Sequence, residues 1–214
     1  MKEKVNKITI NRSNGISECY VLNADYRELE EKYYNLLASI EALKPEKELK
    51  KYDEIEISGN TYFVLKIDEE KHEVTYCMKN VLSREEMLEY FTDPWYQDSS
   101  DYCVRYNSDI RNNRYEDSYI YKILNSTFKE DKLKGLDIIG DIRLLTKEEV
   151  EELDEEHRNI NKWYWTMTPY NNMNELEYGS YARVFHVSSN GNLSNGFVSS
   201  AAPGVRPVFT LKTE

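Results

Sequence analysis

The residue types that most often carry chemistry are few and scattered in this sequence. His72, His157 and His186 lie far apart, and no two share the His-x-x-x-His spacing that puts a pair of metal ligands on one helix face. Cys19, Cys77 and Cys103 are odd in number with no close pair, which argues against a disulfide framework and against a cysteine zinc site. No Gly-x-x-x-x-Gly-Lys loop cradles a phosphate, no Gly-x-Gly-x-x-Gly follows a strand, and no Gly-x-Ser-x-Gly presents a nucleophile. The carboxylates from Glu148 to Glu156 read as a solvated helix face. The expectation is a protein with no catalytic residues, no metal site and no cofactor.

Recognition is the chemistry that remains. Eighteen tyrosines stand against six phenylalanines. Tyrosine joins a large, fairly rigid contact face to a polar tip, which suits half-buried strands and binding surfaces alike. Small polar residues interrupt the apolar pieces of the stretch "YARVFHVSSNGNLSNGFVSS". Aromatic faces stack on sugars while amides and hydroxyls make adaptable hydrogen bonds. The expected ligand contacts are therefore Tyr170, Asn171, Asn172, Tyr178, Tyr181, Arg183, His186, Ser188, Asn190, Asn192, Asn195 and Phe197. No acidic loop cluster argues for calcium.

These residues need elements to hold them. Asn190-Gly191 predicts a hairpin turn between strands at Ala182–Ser188 and Asn192–Val198, with Gly204–Leu211 as a closing strand. Upstream, period-two patterning from Tyr52 predicts three strands. Ser83 with Glu86, and Thr146 with Glu149, predict capping boxes that start two helices. "YEDSYIYKILNSTF" predicts a helix burying Ile120, Ile123, Leu124 and Phe128. Strands and helices do not alternate regularly, so an α+β domain is expected rather than a doubly wound parallel sheet.

The first 51 residues follow other rules. Residues 1–24 read as a small hairpin that attaches the protein to something else. In residues 25–44, Tyr26, Leu29, Tyr33, Leu36, Ile40 and Leu43 recur at spacings of three and four, a heptad seam for a short coiled coil. A homo-oligomer follows, with a trimer favoured. Residues 45–214 form the main domain.

The formal net charge of -11 repels phosphate backbones, so nucleic acid is not an expected partner. No apolar run is long enough for a membrane span, and the N-terminus lacks the apolar core of a secretory signal.

Five segments in order, "YEDSYIYKILNSTF", "RLLTKEEVEEL", "WYWTMTP", "YARVFHVSSNG" and "GVRPVFTL", resemble a bacterial and phage domain family of uncharacterised function. Its members carry a Trp-Trp-Leu-Arg-Ser-Pro-like motif and end in Gly-Val-Arg-Pro-Ala-Leu. The family's ending is similar to that of the C-type-lectin-like and formylglycine-generating-enzyme-like fold. The resemblance spans residues 52–214 and implies a compact ligand-display scaffold of short antiparallel strands with two or three helices. Met167 replaces the motif's arginine, removing any ion pair made there. Formylglycine-generating enzymes use a C-terminal cysteine pair, whereas no cysteine follows Cys103 here.

Within the motifs, Trp163 and Trp165 are expected to share a strand face and anchor the core. Arg206 is expected as a buried guanidinium tying loop carbonyls, and Gly204 as a backbone angle other residues disfavour. The combined expectation is a non-enzymatic virion protein, of head or tail fibre or decoration type, from a phage of a low-GC bacterium. It would contact other virion proteins and a host-surface glycan or protein. An intracellular phage-encoded inhibitor and a cell-wall-sugar hydrolase are the alternatives.

Overall fold

The computed structural model describes residues 5–12, 15–22, 49–91, 102–107, 109–177 and 180–213. The chain divides into two units, Met1–Leu49 and Lys50–Glu214. In the first, β1 (Val5–Arg12) and β2 (Gly15–Leu22) pair antiparallel, from Val5 opposite Leu22 to Arg12 opposite Gly15. The heptad residues Tyr26, Leu29, Tyr33, Leu36, Ile40 and Leu43 lie outside the described residues.

The second unit is α+β with antiparallel sheets. Its period-two stretch forms β3 (Glu54–Ile57), β4 (Asn60–Asp68) and β5 (Glu73–Met78). Ser58 and Gly59 both take positive φ, the backbone hand of a tight hairpin between twisted strands. The sheet grows by non-local pairing. Its order is β3-β4-β5-β10-β6, with β10 (Val208–Lys212) inserted between β5 and β6 (Ile138–Arg143). Phe63, Cys77 and Val208 are cross-strand partners on one face. They pack in the core with Leu145, Val150, Leu153, Tyr164 and Val187. Each large apolar side chain buried there contributes about 1.5–3 kcal/mol.

Helix α1 (Arg84–Glu89) opens with the Ser83–Glu86 capping box. Helix α2 (Tyr119–Ile123) continues through a π-helical segment, Leu124–Phe128, into α3 (Lys129–Lys132), burying Ile120, Ile123, Leu124 and Phe128. In the π segment Asn125 donates to the Ile142 carbonyl and accepts from its N–H, both at 2.8 Å. One side-chain amide thereby caps part of the β6 edge as a neighbouring strand would.

The acidic run expected as one helix is two. Helix α4 (Lys147–Glu152) starts at the Thr146–Glu149 capping box, and Glu149 also takes a bidentate pair from Arg143 at 2.7 Å. Leu153 then turns extended and buried, and Asp154 caps α5 (Glu155–Arg158) by accepting from the His157 N–H at 2.8 Å. A local Asp cap competes with helix continuation, and burial of Leu153 decides it.

A second sheet, ordered β7-β8-β9, comprises β7 (Tyr164–Pro169), β8 (Arg183–Val187) and β9 (Leu193–Phe197). The continuous closing strand expected over Gly204–Leu211 is divided. Gly204 and Val205 make single bridges to Tyr164 and Leu82, and the regular strand starts only at Val208. Pro207 has no N–H for the ladder. This segment therefore ties the small sheet to the large one.

Candidate functional site

In the β8–β9 register Arg183 lies opposite Phe197, and Phe185 lies opposite Asn195. Side chains alternate along a strand, so these four share one face. The Arg183 guanidinium sits 4.3 Å from the Phe197 ring centroid and donates to Asn195 Oδ1 at 2.8 Å. Tyr181 meets Phe197 edge-on, with centroids 5.4 Å apart. Tyr170 meets Phe185 in the same way at 5.2 Å, and Lys147 Nζ stands 5.4 Å from the Phe185 ring centroid. Tyr170, Tyr181 and Phe197 nevertheless keep 50, 48 and 43 % of their surface exposed. The result is an ordered row of rings with wet faces, edged by one guanidinium and one amide. It can stack, make cation–π contacts and donate hydrogen bonds.

Amides pin the row from behind. Asn171 Oδ1 accepts from the Arg183 N–H at 2.8 Å, and its Nδ2 donates to the Tyr181 carbonyl at 3.3 Å. Buried Asn113 donates to the carbonyls of Asn171 and Arg183, at 2.7 and 3.0 Å. Asn172 caps the turn Met173–Glu175. Asn171 thus positions the row rather than extending it, and Asn172 is spent on the turn.

Of the expected contacts, Tyr170, Tyr181, Arg183, Asn195 and Phe197 come together. Ser188, Asn190 and Asn192 lie at the other end of the β8–β9 hairpin and bond one another: Ser188 Oγ donates to Asn190 Oδ1 at 2.5 Å and also lies 2.9 Å from the Asn192 carbonyl. Gly191 there takes φ +79°, and a Cβ on it would come within 3.0 Å of Asn159 Cβ. Tyr178 lies outside the described residues. Phe185 and Lys147 were not among the expected contacts. Strand alternation pointed to Phe185, since it neighbours His186 on the opposite face, while Lys147 comes from a remote helix.

His186 is a correction. It is buried on the opposite face of the sheet, and neither ring nitrogen has a hydrogen-bond partner among the described residues. Trp163 stacks on it, with centroids 5.0 Å apart and planes at 15°, and Trp165 meets it edge-on at 5.9 Å. Burial lowers its pKa from the usual histidine value. It cannot touch a partner docked on the aromatic row.

The expected Trp163–Trp165 core pair is also corrected. Trp163 precedes β7 and is 44 % exposed, whereas Tyr164 and Trp165 are fully buried. The Gly204 N–H donates to the Trp163 carbonyl at 2.7 Å, and the Gly204 carbonyl accepts from the Trp165 N–H at 3.1 Å. Gly204 thus pairs with the edge of β7 opposite β8, while Trp163 and Trp165 both lie on the His186 side and only Trp165 is core. Gly204 has no unusual φ. Its requirement is close approach, because a Cβ would lie 3.0 Å from Val81 Cβ and 3.2 Å from the Leu82 carbonyl oxygen.

Arg206 is fully buried. Its fork donates to the carbonyls of Met78, His157 and Lys79 at 2.8, 2.7 and 3.0 Å, beneath the rings of Phe63 and Tyr164. Burial pushes the Cys77 thiol up to about 11, far from a reactive thiolate, the nearby Arg206 charge opposing the rise only in part. Among the described residues no group of three or more His, Cys, Asp or Glu is placed to hold a metal ion. None of their helices is long and apolar enough to cross a membrane. Comparison with protein-family models, with curated proteins and with solved structures finds no match to this chain.

Proposed function

We propose that the second unit is a non-enzymatic, C-type-lectin-like binding domain. Its row of Tyr170, Phe185, Arg183, Phe197 and Tyr181 docks on a host-surface receptor, glycan or protein, and the whole chain serves in a phage particle. One observation carries the docking reading: three aromatic side chains stay about half exposed on a sheet whose backbone is pinned by Asn113 and Asn171. Exposed rings on a rigid support lose little freedom on binding, which favours affinity. The phage setting rests on the ordered sequence motifs.

In this account residues 1–24 attach the protein and the heptad seam of residues 25–44 makes it a trimer. Mass photometry of the full chain tests the second point. A trimer or dimer is expected, and a strict monomer sinks the stalk. Binding to whole cells and to a glycan array, compared between wild type and variants of the row, tests the first.

A further inference from the structure

Trp163 does more than cover His186. It lines a cleft of about 600 Å³, along with Asn80, Glu85, Asn161, Lys162 and Ala202. That volume falls in the ~300–1,000 Å³ range of small-molecule sites. One side of the indole is backed by the His186 ring, yet 44 % of Trp163 remains exposed. The ring is therefore a platform held in one orientation. Beside it, Ala201 and Ala202 leave room that larger side chains would fill.

The polar lining points to a ligand class. Arg84 and Lys162 balance Glu85 and Glu86, so the cleft carries no formal net charge. The Glu86 carboxylate is already engaged by the Ser83 N–H at 2.7 Å. Asn80 and Asn161 add amides that both donate and accept. A neutral wall of mixed donors and acceptors beside one flat aromatic ring matches a sugar, whose C–H face stacks while its hydroxyls donate and accept. It offers no concentrated cation for a phosphate or a sulfated chain.

We infer that this cleft binds a neutral saccharide of two or three rings, with Trp163 as the stacking platform. The inference goes beyond the receptor-docking row: it uses other residues, and Trp163 packs on a side chain of the opposite sheet face.

The test is calorimetry and saturation-transfer NMR on the full chain. The probes are neutral trisaccharides of glucose, galactose, mannose and N-acetylglucosamine, with a sulfated trisaccharide alongside. At least one neutral probe is expected to bind saturably. Trp163→Ala should weaken that binding about tenfold or more, and Trp163→Phe should weaken it less. Ala202→Trp, which fills the cleft from an exposed position, should abolish it, and Phe197→Ala should leave it unchanged. If Trp163→Ala proves misfolded by circular dichroism, Ala202→Trp decides. Three results overturn the inference: no neutral probe binds, only the sulfated probe binds, or binding survives Ala202→Trp. Loss in Phe197→Ala with full binding in the cleft variants also overturns it, by moving the sugar to the aromatic row.

Discussion

Arg183 lies over the ring of Phe197, its cross-strand partner, with the guanidinium 4.3 Å from the ring centroid. The same guanidinium is held sideways by Asn195 at 2.8 Å. A long, flexible cation is thus set in place before any partner arrives, and Phe197 is still 43 % exposed. Such a cation–π contact at an exposed site adds only about 0.5–1 kcal/mol to stability. Its main consequence is preorganisation of the surface.

Arg206 is the opposite case, a cation committed to the interior. Arg206→Met leaves the carbonyls of Met78, Lys79 and His157 without their donors. The expected loss is about 3–5 kcal/mol in urea unfolding. Arg206→Lys should recover little of it, because an ammonium cannot reproduce the planar fork. Full stability in Arg206→Lys would refute this role.

Gly204 predicts a steric cost with no φ component. In Gly204→Ala the new methyl meets Val81 Cβ at 3.0 Å and the Leu82 carbonyl oxygen at 3.2 Å. Overpacking of this kind costs about 1–3 kcal/mol. The midpoint of urea unfolding should fall with an unchanged slope. A wild-type midpoint would show that the Val81–Leu82 segment can give way there at no cost.

His186 predicts a pH dependence. Burial lowers its pKa, so as the pH falls below the ordinary value of 6.5 the unfolded chain takes up a proton that the folded chain resists. Its contribution is complete above that value and is lost as the pH falls from there toward the folded pKa, by at most ~1.4 kcal/mol per pH unit. Unfolding free energies measured from pH 7.5 down to about pH 5 should fall more steeply for wild type than for His186→Phe. Equal slopes would contradict a histidine held neutral between Trp163 and Trp165.

Local chemistry was legible in the sequence. The pairs Ser83–Glu86 and Thr146–Glu149 spell out capping boxes, which depend only on neighbours three residues apart. Period two located β3, β4 and β5 for the same reason. What the residue order did not reveal lies at long range. Trp163 and Trp165 are two apart and both meet His186, as one strand face predicts, but only distant segments decide that Trp165 is fully buried while Trp163 stays 44 % exposed. The break at Leu153 depends on a core assembled from distant strands. In the candidate site, composition pointed to the aromatic and amide residues without separating those that face outward from those spent on the turn. Ser188 and Asn190 read like Asn195 in sequence, and only the register divides them.

The most direct test of the docking account is binding of the fluorescently labelled full chain to whole cells and isolated cell walls from a panel of low-GC bacteria. Wild type is compared with a Tyr181→Ala, Phe197→Ala double variant and with Asn192→Ala, which alters the far end of the hairpin. The account predicts saturable binding to at least one strain, a loss of about 2 kcal/mol or more in the double variant, and wild-type affinity in Asn192→Ala. Equal binding by wild type and a folded double variant would contradict it.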